Sequence, residues 1–154
     1  MASSLISGAV SLILILLAGY VIATGILTIA ETTIYTQSEM SLIHDSIQQT
    51  DLSMANPSPV YSGGTLTFYI SNNGTTSFKK TDVGFDFFIT NDATKATSRY
   101  SLTDLSTFDI TEDIINKGFW DPSEIVQAEI SLAYTPNFVK IVTPNGVSAS
   151  GAVT

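Results

Sequence analysis

Three patterns of hydrophobic and polar positions follow one another along the chain. From Leu5 to Ile29, "LISGAVSLILILLAGYVIATGILTI" runs without a charged side chain. As an α-helix that stretch is about 37 Å long, against about 30 Å for the hydrocarbon core of a bilayer, so it predicts a spanning helix with some tilt. From Ile26 onward the apolar run changes to spacings of three and four, at Ile26, Ile29, Thr33, Thr36, Met40, Ile43 and Ile47. That is the 3.5-residue period of a coiled-coil seam, weakened by its two threonines. The helix is expected to continue as an amphipathic stalk to about residue 50, with the seam as a candidate helix-association surface and a simple stalk as the alternative. Gly19-x-x-x-Ala23 would let a second helix approach closely, although glycine is frequent in transmembrane helices anyway.

Past Asp51 the period becomes two. "NPSPVYSGG" carries two prolines and two glycines and reads as the boundary between stalk and domain. "TLTFYI" alternates Leu66, Phe68 and Ile70 with polar or amphipathic neighbours, and "NNGTT" supplies a turn suited to hairpins. "DVGFDFFIT" sets Val83, Phe85, Phe87 and Ile89 on one face against Asp82, Gly84 and Asp86 on the other. "KATSRYSLTD" is a further strand or edge, and "STFDITEDIINKG" resembles a short helical turn ended by Gly118. "EIVQAEISLAY", with Val126, Ala128, Ile130 and Leu132 on one face, precedes "NFVKIVT" and "VSASGAV", which a "PNG" hairpin signal separates. Short alternating strands between such turns predict an all-β antiparallel sandwich over residues 51–154, after a helical segment over residues 1–50.

Charge sharpens this division. Only 13% of the residues are charged, well under the roughly 25% usual in soluble domains, and the N-terminal stretch has none. The net charge is −8, with six basic residues and none before Lys79. Nucleic acid is therefore not an expected partner, since phosphate binding needs clustered Lys and Arg. A cleavable secretory signal carries a basic n-region and a shorter apolar core; "MASS" has no Lys or Arg, so retention as an anchor is expected. Flanks without Lys or Arg give the positive-inside rule no vote. A polar β-domain after one span is most simply placed outside.

Candidate chemistry is sparse, and no cofactor is expected. Cysteine is absent, which excludes disulfides, thiolate nucleophiles and Cys-zinc sites. His44 is the single histidine; it stands in the stalk beside Asp45 without a second ligand at helical spacing, so a solvated residue outweighs a metal ligand. No G-x-S-x-G, Walker loop or dinucleotide fingerprint occurs. Asp82 and Asp86 lie about 13 Å apart along a strand, too far to share a proton. Asp109, Glu112, Asp113 and Asp121 could converge on calcium, but they follow no EF-hand pattern, and a solvated acidic loop is the commoner arrangement. Trp120 is read as a core or sheet-edge aromatic. Asn73-Gly74-Thr75 is an N-x-T acceptor in a turn, a candidate glycosylation site if the domain is exported. An enzyme is not expected.

This layout resembles the archaeal type IV pilin-like proteins. "MASSLISGAVSLILILLAGYVIATGILT", "TLTFYISNNGTTSF" and "VKIVTPNGVSA" resemble the FlaF/FlaG-type accessory proteins of the archaellum. The opening and the last of these stretches lean toward FlaG. The resemblance implies an immunoglobulin-like sandwich held outside the cell membrane by the N-terminal helix. It also implies a stator role that couples the motility machinery to the S-layer or another envelope protein. The implied partners are the membrane, that envelope protein, other archaellum accessory subunits and further copies of the chain in an oligomer or filament. The rival readings are an archaellin or adhesive pilin, whose basic leader and helix-start glutamate have no counterpart here, and an anchored carbohydrate- or calcium-binding receptor using the surface around Phe119–Trp120.

Overall fold

The computed structural model describes residues 2–81 and 84–154, with side chains from Ile6 onward. The chain divides into two compact units, Met1–Leu42 and Ile43–Thr154. One helix, α1 (Ala2–Gln48), occupies the whole N-terminal region. No proline interrupts it, so the backbone ladder runs unbroken. Large apolar side chains from Ile6 to Ile47 are exposed within the chain. A helix apolar on all sides is suited to a membrane or to the core of an assembly, since water would oppose it; α1 is long and apolar enough to cross a bilayer. Its threonines do not spoil that character. Thr24, Thr28, Thr32, Thr33 and Thr36 each donate their hydroxyl to the carbonyl one turn back, at 2.8–3.0 Å. Each hydroxyl is thereby satisfied without an outside partner.

The second unit contains eleven short strands: β1 (Leu52–Met54), β2 (Val60–Ser62), β3 (Thr65–Asn72), β4 (Phe78–Lys79), β5 (Asp86–Asn91), β6 (Thr97–Ser101), β7 (Thr107–Ile110), β8 (Phe119–Trp120), β9 (Ile125–Ser131), β10 (Pro136–Val142) and β11 (Ser148–Ala152). One antiparallel sheet has the order β1-β3-β9-β7, with β2 also on β3; the other has the order β11-β10-β5-β6, and β4 pairs with β8. Alternation puts Leu66, Phe68 and Ile70 of β3 and Val126, Ala128 and Ile130 of β9 inward, facing Phe87, Ile89, Val139 and Ile141 from the other sheet, all at 0–1% exposure. Phe68 meets Phe87 edge-on at 6.0 Å, and Phe108 of β7 meets Phe85 at 5.4 Å and Phe87 at 6.0 Å. These cross-sheet aromatic contacts make one shared core, so the expected helix followed by an antiparallel β-sandwich is the observed architecture.

Several local expectations change. The "NPSPVYSGG" stretch is not the boundary of the domain: β1 precedes it and already pairs with β3. Pro57 and Pro59 instead split what would be one strand into β1 and β2, which pair with successive halves of β3. "NNGTT" does not close a hairpin, because β3 and β5 lie in different sheets. In "DVGFDFFIT" the strand begins at Asp86; Phe85 is buried ahead of it, while Asp82 and Val83 lie outside the described residues. "STFDITEDIINKG" is not helical. Its first part is β7, hydrogen-bonded to β9, and the rest is a turn-rich loop. The "PNG" hairpin forms as expected between β10 and β11, with Gly146 at φ 86°.

The shared core predicts an asymmetry between neighbours on β5. Phe87→Ala should cost about 3–5 kcal/mol, whereas Phe88→Ala, on the outer face, should cost under about 1 kcal/mol. Urea unfolding of the detergent-solubilised chain, followed by Trp120 fluorescence, measures both. Equal losses would mean that the sheets do not share one core.

Candidate functional site

The β unit presents three surfaces with chemistry to offer. The first is the end where its own helical residues, Ile43–Gln48, meet the sheets. The Ser46 carbonyl lies in the last turn of α1, where carbonyls lack an amide partner further along the helix. It accepts from Thr50 Oγ1 at 2.7 Å and from Asn145 Nδ2 at 3.1 Å. Asn145 Nδ2 also reaches Thr50 Oγ1 at 2.6 Å and Ser46 Oγ at 3.1 Å. The "PNG" turn therefore supplies a cap for the helix, a role its spacing did not reveal. Gly74 completes this end. Its backbone runs so close to residues 49–51 that a Cβ would overlap the Gln49 carbonyl, the Asp51 nitrogen and the Thr50 Cα. Glycine is needed there for close approach, not for a hairpin turn.

Asn73 lies beside this contact. Its amide nitrogen donates to the Asp51 carbonyl at 2.8 Å, while Thr75 donates to the Gln49 carbonyl at 2.7 Å. The exposed Asn73 side chain accepts from Ser71 Oγ and donates through Nδ2 to Ser53 Oγ, both at 2.8 Å. Its neighbour Asn72 points inward and is fully buried, with Nδ2 donating to the carbonyls of Thr76 and Trp120. Strand alternation thus separates a structural asparagine from a surface one. The seven seam positions Ile26, Ile29, Thr33, Thr36, Met40, Ile43 and Ile47 all lie in α1 and are exposed. His44, on the same helix, pairs with Gln48.

The second surface is the loop between β7 and β9, where the candidate calcium carboxylates lie. They brace the loop instead of converging. Asp109 pairs with Lys80 at 2.6 Å, and the lysine holds its carboxyl below the usual range. Asp113 accepts from the Gly118 amide and Asp121 from the Asn116 amide, at 2.8 and 3.0 Å. Glu124 accepts from the amides of Ile114 and Asp121, and Glu112 is exposed. Among the described residues no three His, Asp or Glu side chains are grouped to hold a metal. Trp120 is fully buried, as expected of a core aromatic, with Nε1 donating to the Glu124 carbonyl at 3.0 Å. It therefore offers no exposed platform; Phe119 alone of that pair reaches the surface. At the loop apex Ile114 and Ile115 are exposed.

The third surface is the outer face of the β5–β10 sheet. Phe88, Thr90, Thr97, Phe138 and Lys140 line an open hollow of about 320 Å³. Arg99 beside it pairs with Asp86 at 2.6 Å. Phe88 shares the outward face of β5 with Asp86, and no local signal in the sequence showed that Phe138 of β10 would stand close to it. At the rim of the sheets, burial and the Tyr100 hydroxyl at 3.0 Å push the Tyr134 phenol up to about 12.

No family model and no curated protein matches the chain. It is similar in structure to the archaellum periplasmic stator protein FlaG from Sulfolobus acidocaldarius, at 18% identity and a TM-score of 0.46, over 67% of this chain and 98% of that one. It is also similar to a chain of the archaellum periplasmic stator complex of FlaF and FlaG from the same organism, at 19% identity and a TM-score of 0.48, over 66% of this chain and 86% of that one.

The capped end of the β unit predicts the effect of adding one methyl group. Gly74→Ala should cost about 1–3 kcal/mol, because the new Cβ meets backbone that cannot rotate away. Thermal unfolding of the full chain checks this; an unchanged midpoint would mean that residues 49–51 are not held against the β3–β4 turn.

Proposed function

We propose that the chain is a membrane-anchored, noncatalytic subunit of the archaeal motility machinery, an archaellum accessory protein of the FlaF/FlaG type with a stator-like role. The observation that carries the anchoring is the uncharged segment Leu5–Ile29, continuous with a helix ending at Gln48 and followed by a β-sandwich. The motility assignment rests on the sequence stretches that resemble those proteins. Support for a structural over an enzymatic role comes from the acidic side chains of the β7–β9 loop, several of which accept hydrogen bonds from its own backbone. In this reading residues 1–50 are the transmembrane helix and stalk. Residues 51–154 form an immunoglobulin-like domain outside the membrane, which links the motor to the S-layer or another envelope protein. Other accessory subunits are its partners in the complex, and the seam from Ile26 to Ile47 joins copies of the chain.

The second reading is a filament subunit, an archaellin or adhesive pilin. It is favoured by one observation: α1 from Leu5 to Ile29 carries no charged side chain and its large apolar side chains are exposed, as the packed core of a filament requires. Intact-mass measurement and N-terminal sequencing of native chain, from cell envelopes and from sheared surface filaments, separate the two. The accessory role predicts an unprocessed chain in envelopes and none in filaments. A processed chain abundant in filaments overturns it.

The seam makes a separate prediction. Met40→Asp combined with Ile43→Asp places two charges on the proposed helix–helix face and should abolish self-association in detergent while the β unit keeps its melting transition. Both positions are exposed, so the fold has little to lose. Unchanged association of the double variant, read by chemical cross-linking, would sink the seam.

A further inference from the structure

We propose that Asn73 is an N-glycan attachment site at the helix-bearing end of the β unit. The proposal rests on the reading that this unit lies outside the membrane. The sequence supplies the acceptor tripeptide Asn73-Gly74-Thr75; Asn56 has a serine two residues on but is followed by Pro57, which excludes it. The structure supplies what the tripeptide alone does not. Asn73 is exposed, whereas Asn72 beside it is fully buried and committed to two carbonyls. Of the two hydrogens on Asn73 Nδ2, one goes to Ser53 Oγ at 2.8 Å. The other is the hydrogen a sugar replaces, so the Ser53 contact can survive modification. The Thr75 side chain is exposed as well.

The surroundings fit a carbohydrate. Ser53 and Ser71, which hold the Asn73 amide, bring hydroxyls and no apolar bulk. Thr65, Thr67 and Tyr69 continue the same outward face of β3, a hydroxyl-rich surface with one aromatic ring. Competing chemistry at an Asn-Gly pair is attack of the glycine nitrogen on the asparagine side chain. Here the Gly74 amide donates to the Asp51 carbonyl at 3.0 Å and to Asn72 Oδ1 at 3.2 Å, so the hydrogen that this nitrogen must lose before it attacks is engaged.

The step transfers a glycan from a polyisoprenoid lipid on which it is carried through phosphate. Asn73 Nδ2 forms a bond to the anomeric carbon, and the bond from that carbon to the phosphate oxygen breaks. The electron pair leaves with the lipid phosphate, and one amide proton passes to a base of the transferase. No oxidation or reduction occurs. Such a glycan would cover the contact between residues 73–75 and 49–51 and leave the Phe88–Phe138 face of the other sheet bare.

The test is mass spectrometry of the full chain purified from the cells that make it, after cleavage before aspartate. That cleavage releases residues 51–81 with the tripeptide and no other candidate acceptor. The expected result is a heterogeneous hexose-type mass increment on this peptide. Thr75→Ala should lose it and Thr75→Ser should keep it; neither touches the backbone contacts of the turn, so folding is not at issue. An unmodified or merely deamidated peptide overturns the proposal. External protease treatment of intact cells, run on the same sample, tells the two readings apart. An accessible but unmodified domain overturns the glycan alone, and an inaccessible unmodified one overturns the external placement with it.

Discussion

From Leu5 to Ile29 no side chain carries a charge, and the large apolar side chains of the whole helix are exposed within the chain. Leaving that surface in water costs about 25 cal/mol for each Å² of apolar area, so α1 requires lipid or other helices around it. The threonines accommodate the same demand. Thr33 and Thr36, which look like flaws in the seam, bond their hydroxyls to the preceding turn. They can enter an apolar contact without leaving a donor unmet. Everything else in the chain follows from having such a helix at one end. The remainder must fold by itself, without cysteine, and must join a helix end to a sheet.

That remainder does so with aromatic contacts across two sheets and with side chains that satisfy exposed backbone. Phe68, Phe85, Phe87 and Phe108 fill the space between the sheets, and Trp120 closes the side near β4 and β8. Elsewhere short polar side chains take the place of regular structure. Asn145 caps the last helical turn, Asn72 bridges the carbonyls of Thr76 and Trp120, and Asp113, Asp121 and Glu124 accept from amides of the segment between β7 and β9. In a chain with so many carboxylates, this use explains acidic residues that would otherwise suggest a metal or a catalytic pair.

What was legible in advance was periodic. The alternation of β3 and β9 announced Leu66, Phe68, Ile70, Val126, Ala128 and Ile130 as one face, and all six are core. Asn73, as an exposed residue, was legible from its turn. The errors cluster where a local signal has two physical uses. Asn-Gly suits a positive-φ turn, but Gly74 is instead required by backbone crowding. "TFDITEDI" has the carboxylates of a helix start, but Phe108 and Ile110 are claimed by the core and draw the segment onto β9. Proline between β1 and β2 marks a break in pairing, not the edge of the domain.

The sequence by itself determined the division into an apolar helix and a polar β region, the inward face of each long strand, and the lack of cysteine. These are properties of composition and period, and each is written within a few consecutive residues. Only the tertiary structure decided which strand lies beside which, that β3 and β5 belong to opposite sheets, and that Phe88 and Phe138 share a hollow. It alone brought Asn145 to Ser46 across the chain and turned Asn73 outward between Ser53 and Ser71. Such pairings depend on how two apolar faces find the least exposed arrangement. That balance sums over distant residues, and no short stretch records it.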